Sequence, residues 1–124
     1  GQAGGTTGTN SGDKAIVQAA MNVTMNRVNG VFERDLGITM QIVGNNDLII
    51  YLDASTDPWT NEFNTTTAQT IDAQIGVSNY DIGHNFNTSG GGNAGCLDCV
   101  CLAVSQSGTH KGRGYTGRGA PIGD

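Results

Sequence analysis

The spacing of apolar residues changes between Lys14 and Leu52, and that change limits the fold more than any other feature of the chain. From Lys14 to Asn29, Val17, Ala20, Met21, Thr24 and Val28 recur at helical intervals, with Ile16, Ala19 and Val23 widening the same face. Such a stripe predicts an amphipathic helix whose methionines fill a core. Ser11 or Asp13 offers acceptors for its first-turn amides, and Asn29-Gly30 offers a left-handed stop. From Leu36 to Val43 the period drops to two, with Leu36, Ile38, Met40 and Ile42 alternating against Gly37, Thr39 and Gln41. That period predicts a strand with one buried face. After the turn residues Asn45-Asn46-Asp47, the apolar run Leu48–Leu52 reads as a second strand buried on both faces.

The stretch Asp53–Asn64 reads as a loop that Trp59 anchors to the body. Ala68, Ile71, Ala73 and Ile75 predict a second helix over Thr66–Gly76, with caps from Thr65 to Thr67 and a stop at Gly76. Tyr80, Ile82, His84 and Phe86 alternate as a third strand. Gly95–Val104 reads as a fourth, beyond the glycine loop Gly90–Gly92. Helices alternating with strands favour an α/β fold with a mostly parallel, right-handed sheet of about four strands.

Length allows one domain or part of one. Twenty glycines cluster at 1–12, 90–95 and 108–123, which predicts flexible or tightly turning ends around an ordered middle. Charged residues make up only 14%, so Gly, Asn, Thr and Ser carry the polarity, an extracellular look. A net charge of −5 opposes binding to nucleic-acid phosphates. Lys111, Arg113 and Arg118 among glycines read as a solvated loop rather than an RNA-binding segment. No apolar run reaches the roughly 20 residues that cross a bilayer. Asn22, Asn64 and Asn87 open glycosylation tripeptides, which matter only in an exported chain.

Cys96, Cys99 and Cys101 permit at most one internal bridge and leave one thiol over. A soft-metal site wants a fourth ligand, and neither histidine is close in sequence. One strand cysteine paired with a cysteine elsewhere is the simpler reading. His84 and His110 lie 26 positions apart, whereas a two-histidine zinc helix needs them four apart. His84 in its strand reads as a hydrogen-bonded structural residue, and His110 in its glycine loop as a solvated one. No Gly-x-Ser-x-Gly elbow is present, and no Gly-Lys-Ser or Gly-Lys-Thr follows the glycine run.

Four stretches carry a resemblance in unbroken order: Ala20–Leu36, AMNVTMNRVNGVFERDL; Val43–Tyr51, VGNNDLIIY; Thr56–Asn61, TDPWTN; and Ser78–His84, SNYDIGH, with its glycine loop. Together, over about residues 14–124, they resemble reprolysin-like (adamalysin-type) zinc metallopeptidases of the metzincin clan, in their bacterial secreted form. The resemblance implies a metzincin-like upper subdomain: two helices, a mixed, mostly parallel twisted sheet and an antiparallel edge strand over Gly92–Leu102. It implies that this strand rims the cleft and pairs with extended peptide, with Ala94, Gly95, Cys96 and Leu97 as the substrate contacts. In that family the run Pro121–Asp124 leads into the H-E-x-x-H helix that holds zinc. Residues 1–124 are then a partial catalytic domain, with a Gly/Thr-rich segment at 1–13 and a Gly-rich segment at 105–124. Zinc belongs to the full-length parent, and neither a metal ligand nor a catalytic residue is expected in this chain, which should be inactive alone. Peptide or protein substrate and a secreted, extracellular location follow from the same resemblance. The competing expectations are a structural subunit that self-associates through an exposed sheet face or edge, and a peptide-binding module that has lost catalysis.

Overall fold

The structure, a computed structural model, describes residues 11–119. Expectations for residues 1–10 and for Pro121–Asp124 lie outside the described residues. From Ser11 the chain is already helical, and α1 runs Ser11–Leu36, past the expected end at Asn29-Gly30. Its stop is Gly37, at φ +68°, whose N–H donates to Glu33 O at 3.1 Å. That single bond to the fourth residue back is the left-handed C-terminal cap.

Asn29 does something other than stop the helix. Its Nδ2 donates to Met40 O at 2.7 Å and its Oδ1 accepts the Met40 N–H at 2.9 Å. Those backbone groups are the ones a neighbouring strand would engage. The expected strand over Leu36–Val43 is therefore corrected: Leu36 finishes α1, and residues 37–43 form an irregular connection clipped to the helix by a side chain. The expected strand Leu48–Leu52 is corrected as well. A 3-10 turn occupies Asn46–Ile49, and buried Asn46 donates to Gln18 Oε1 on α1 at 2.7 Å. The apolarity of the run serves burial instead, because Ile50 and Leu52 form a small core with Val17, against which Met21 packs.

Trp59 anchors its loop as expected: its Nε1 donates to Thr67 Oγ1 at 2.9 Å, and its ring meets Tyr51 edge-on. Helix α2, Asn64–Gln74, begins two residues before the expected start. Its first amides are met not by threonine hydroxyls but by Glu62, whose carboxylate accepts the N–H groups of Thr65 and Thr66 at 2.8 Å each. The helix buries Thr67, Ala68, Thr70 and Ile71, and gives way to Gly76 at φ +90°. A second core joins Ile71, Ile75 and Tyr80, with Val43 and Ile49 packed on it.

The sheet comprises β1 (His84–Asn87), β2 (Gly91–Asn93) and β3 (Gly114–Gly117) in the order β1-β3-β2. β1 runs parallel to β3, with His84 opposite Gly114, and β2 runs antiparallel to it, with Gly92 opposite Thr116. Among the described residues the sheet is thus mixed and three-stranded, not mostly parallel and four-stranded. The third expected strand survives as β1. The fourth does not form: within Gly95–Val104 the only ladder contact described is the bridge between Ala103 and His110. Its place in the sheet is taken by β3, from the glycine-rich segment expected to be flexible. A Cβ at Gly112 would lie 2.7 Å from Tyr80 Oη and 3.1 Å from Ala68 Cα, so glycine lets this segment run directly over α2.

Candidate functional site

β2 is an edge strand whose one described neighbour is β3, so the backbone groups on its other side are open to an added strand. The expected rim Gly92–Leu102 is regular only at Gly92 and Asn93. The chain turns immediately afterwards, because Asn93 Oδ1 accepts the Gly95 N–H at 2.6 Å and Gly95 adopts φ +74°. The four expected contact residues therefore follow the strand rather than sit in it. Ala94 is exposed, Gly95 is half-buried, Cys96 is joined to Cys99 by a disulfide, and Leu97 points into solvent. This internal bridge, with Cys101 left as the exposed free thiol, corrects the simpler reading of a strand cysteine paired elsewhere.

Two residues that sequence reasoning assigned to a solvated loop hold this rim in place. Arg113 Nε donates to Gly95 O at 3.2 Å, while its Nη1 donates to Gln106 O at 2.6 Å and Thr65 Oγ1 at 3.0 Å. One guanidinium thus ties the end of β2, the loop before β3 and the first turn of α2. Lys111 Nζ donates to Tyr80 O and lies 4.5 Å from the centroid of the Tyr80 ring. The alternation Lys111-Gly112-Arg113-Gly114 was the available signal: a period of two puts both cations on one side and glycines on the side that meets neighbouring backbone.

Behind the rim, Asp72 on α2 collects three donors. Tyr80 Oη donates to Oδ1 at 2.7 Å, Gln106 Nε2 to Oδ2 at 2.7 Å, and His110 Nε2 lies 3.1 Å from Oδ2. His110 is 2% exposed, which overturns its reading as a solvated loop residue. Its Nδ1 accepts the Gly112 N–H at 3.1 Å, so the neutral ring carries its proton on Nε2 and donates it to Asp72. Burial, then the hydrogen bond to Asp72, pushes the Tyr80 phenol well above its usual pKa and keeps it protonated. His84, the structural histidine expected in a strand, sits in β1 with Nε2 2.9 Å from Thr116 Oγ1.

These side chains do not assemble a metal centre. Both nitrogens of His110 are committed, and among the described residues no three His, Cys, Asp or Glu side chains converge on a point that a metal ion could occupy. No step of metal chemistry is therefore assigned to them. No helix among the described residues is long and apolar enough to cross a membrane.

Residues 18–121 match a family model described as metallo-peptidase family M12B, reprolysin-like. No curated protein and no solved structure matches the chain. The family match takes in α1, α2 and every strand of the sheet. On that span, the chain belongs to the reprolysin-like M12B metallopeptidases.

Proposed function

We propose that this chain is the N-terminal, upper part of a metzincin-type catalytic domain in a secreted zinc metalloendopeptidase, and that its own contribution is substrate binding. The observation that carries the reading is an antiparallel edge strand, β2, with one side open, within a chain of the reprolysin-like family. A peptide lying along β2 exchanges backbone hydrogen bonds with it, and Gly91 and Gly92 present no side chains to obstruct approach. Residues other than those described hold the ion, so the isolated 124-residue chain is inactive.

The test is a peptidase assay on the full-length polypeptide with zinc content measured in parallel. Activity abolished by a chelator and restored by zinc supports the reading. A zinc-free full-length protein with no activity on any of several unrelated peptides would remove it. A structural, self-associating subunit is the second reading, and it draws on Ile16, Val23 and Val31, which lie exposed along α1. Light scattering that shows a monomer at micromolar concentration would count against it.

A further inference from the structure

The segment that follows β2 carries an unusual concentration of exposed aliphatic side chains: Leu97 at 85%, Val100 at 58%, Leu102 at 44% and Val104 at 78%. Loose loops expose such residues singly, but this one is fastened at several points. The Cys96–Cys99 disulfide closes its tip, and Asp98 and Cys101 hold left-handed backbone at φ 57° and 63°. The Cys101 N–H donates to Asp81 O at 3.0 Å, the Lys111 N–H to Leu102 O at 2.8 Å, and the Val104 N–H to Thr109 O at 3.0 Å. Arg113 grips Gly95 O where the segment leaves β2. Aliphatic groups held out by that many constraints form a prepared surface, because ordering costs are met before anything binds.

We propose that this stapled knuckle is a subsite for aliphatic side chains of an extended peptide whose backbone lies on β2. The proposal rests on the reading of β2 as the substrate rim and deepens it by naming a substrate class. Two observations favour a peptide. The knuckle is continuous with β2, so a chain laid on the open edge is carried towards it. Backbone pairing to Gly91-Gly92-Asn93 offers almost no side-chain discrimination, so selectivity must come from adjoining residues. A lipid surface is disfavoured by the exposed carboxylate of Asp98 inside the knuckle and by the net charge of −5, which opposes approach to anionic headgroups.

The experiment measures binding by fluorescence anisotropy on the full-length protein in EDTA, so that cleavage does not intervene. Two labelled, end-capped octapeptides of equal charge are compared, one bearing leucines at alternate positions and one bearing threonines there. The wild-type protein is expected to bind the leucine peptide at least about tenfold more tightly, and the double variant Leu97→Ser, Val100→Ser to lose that preference while holding the threonine peptide as before. Both side chains are exposed, so these changes leave the fold intact, which unchanged urea unfolding would verify. Equal affinity of the wild type for the two peptides overturns the knuckle proposal and leaves the rim reading standing. Failure of the wild type to bind either peptide overturns both. Binding to phosphatidylcholine–phosphatidylglycerol vesicles that is lost in the double variant, without peptide binding, assigns the surface to lipid and overturns both as well.

Discussion

Substituting Asp72 tests how much of the fold depends on one carboxylate. Asp72→Ala removes the acceptor shared by Tyr80 Oη, His110 Nε2 and Gln106 Nε2. Gln106 is half-buried and can turn to water, but Tyr80 and His110 are buried and their donors are left without partners. At about 1–3 kcal/mol for each unsatisfied buried donor, the two together cost roughly 2–6 kcal/mol, centred near 4. Asp72→Asn is the sharper variant. Its single oxygen can serve Tyr80, but its amide NH2 then faces the His110 donor. The imidazole cannot adapt by moving its proton to Nδ1, since that atom accepts the Gly112 N–H. Asparagine is therefore expected to recover less than half of the loss. Urea unfolding followed by the fluorescence of Trp59 would measure both variants. An asparagine variant within about 0.5 kcal/mol of wild type would refute the hydrogen-bond assignment. The cluster also predicts an alkaline limit. Because the Tyr80 phenol is raised in the folded protein, its contribution is fully present below the unfolded value of about 10 and is lost as pH rises above it. Tyr80→Phe should flatten that part of the stability profile.

Other perturbations give equally definite outcomes. Gly112→Ala drives a methyl group towards Tyr80 Oη and the α2 backbone and should cost about 1–3 kcal/mol, whereas Gly30→Ala, inside α1 with no heavy atom within 4 Å of the new methyl, should gain about 0.5–1 kcal/mol; thermal unfolding of the pair reads both signs. At Glu62, partial burial opposes ionisation, but the Thr65 and Thr66 amides outweigh it and hold the carboxyl below its usual pKa. Its stabilisation is therefore present above the unfolded carboxylate pKa and is lost as pH falls through the lower folded value. Glu62→Gln should remove that acid-side slope, and about 0.5 kcal/mol at neutral pH, as read by far-ultraviolet circular dichroism against urea. Cys101 Sγ donates to Asp81 Oδ1 at 3.3 Å, and that bond raises the thiol pKa, so Asp81→Asn should accelerate alkylation by iodoacetamide at pH 8; an unchanged rate would show that the carboxylate does not restrain the thiol.

The helices were legible because their apolar spacing is a local property, and the Trp59 anchor because a large ring in a polar loop has few other places to go. The missed strands share one cause: alternation and apolarity report burial, not who pairs with the backbone. At Met40 the pairing groups are taken by Asn29, a residue whose position beside Gly30 looked like stop chemistry. At Leu48–Leu52 the decisive contact is a side-chain bond from Asn46 to Gln18, 28 residues away, which no local window contains. β3 was hidden for the opposite reason. Its glycines are there because neighbouring backbone and Tyr80 occupy the space, and before those neighbours are known the same composition reads as slack. The rim was found in the right region but two to four residues late, since the turn from Asn93 to Gly95 comes before the cysteines and not after them.

The strand order carries a consequence for assembly. β3 lies at the centre of the sheet yet comes last along the chain, so neither β1 nor β2 has a ladder partner until residues 114–117 have left the ribosome. Until then only helical, short-range structure can accumulate, and the sheet closes in one late event that joins segments about 25 to 30 positions apart. A nascent polypeptide arrested near residue 110 would expose two bare strand edges together, and that is the length at which a holding chaperone would matter most.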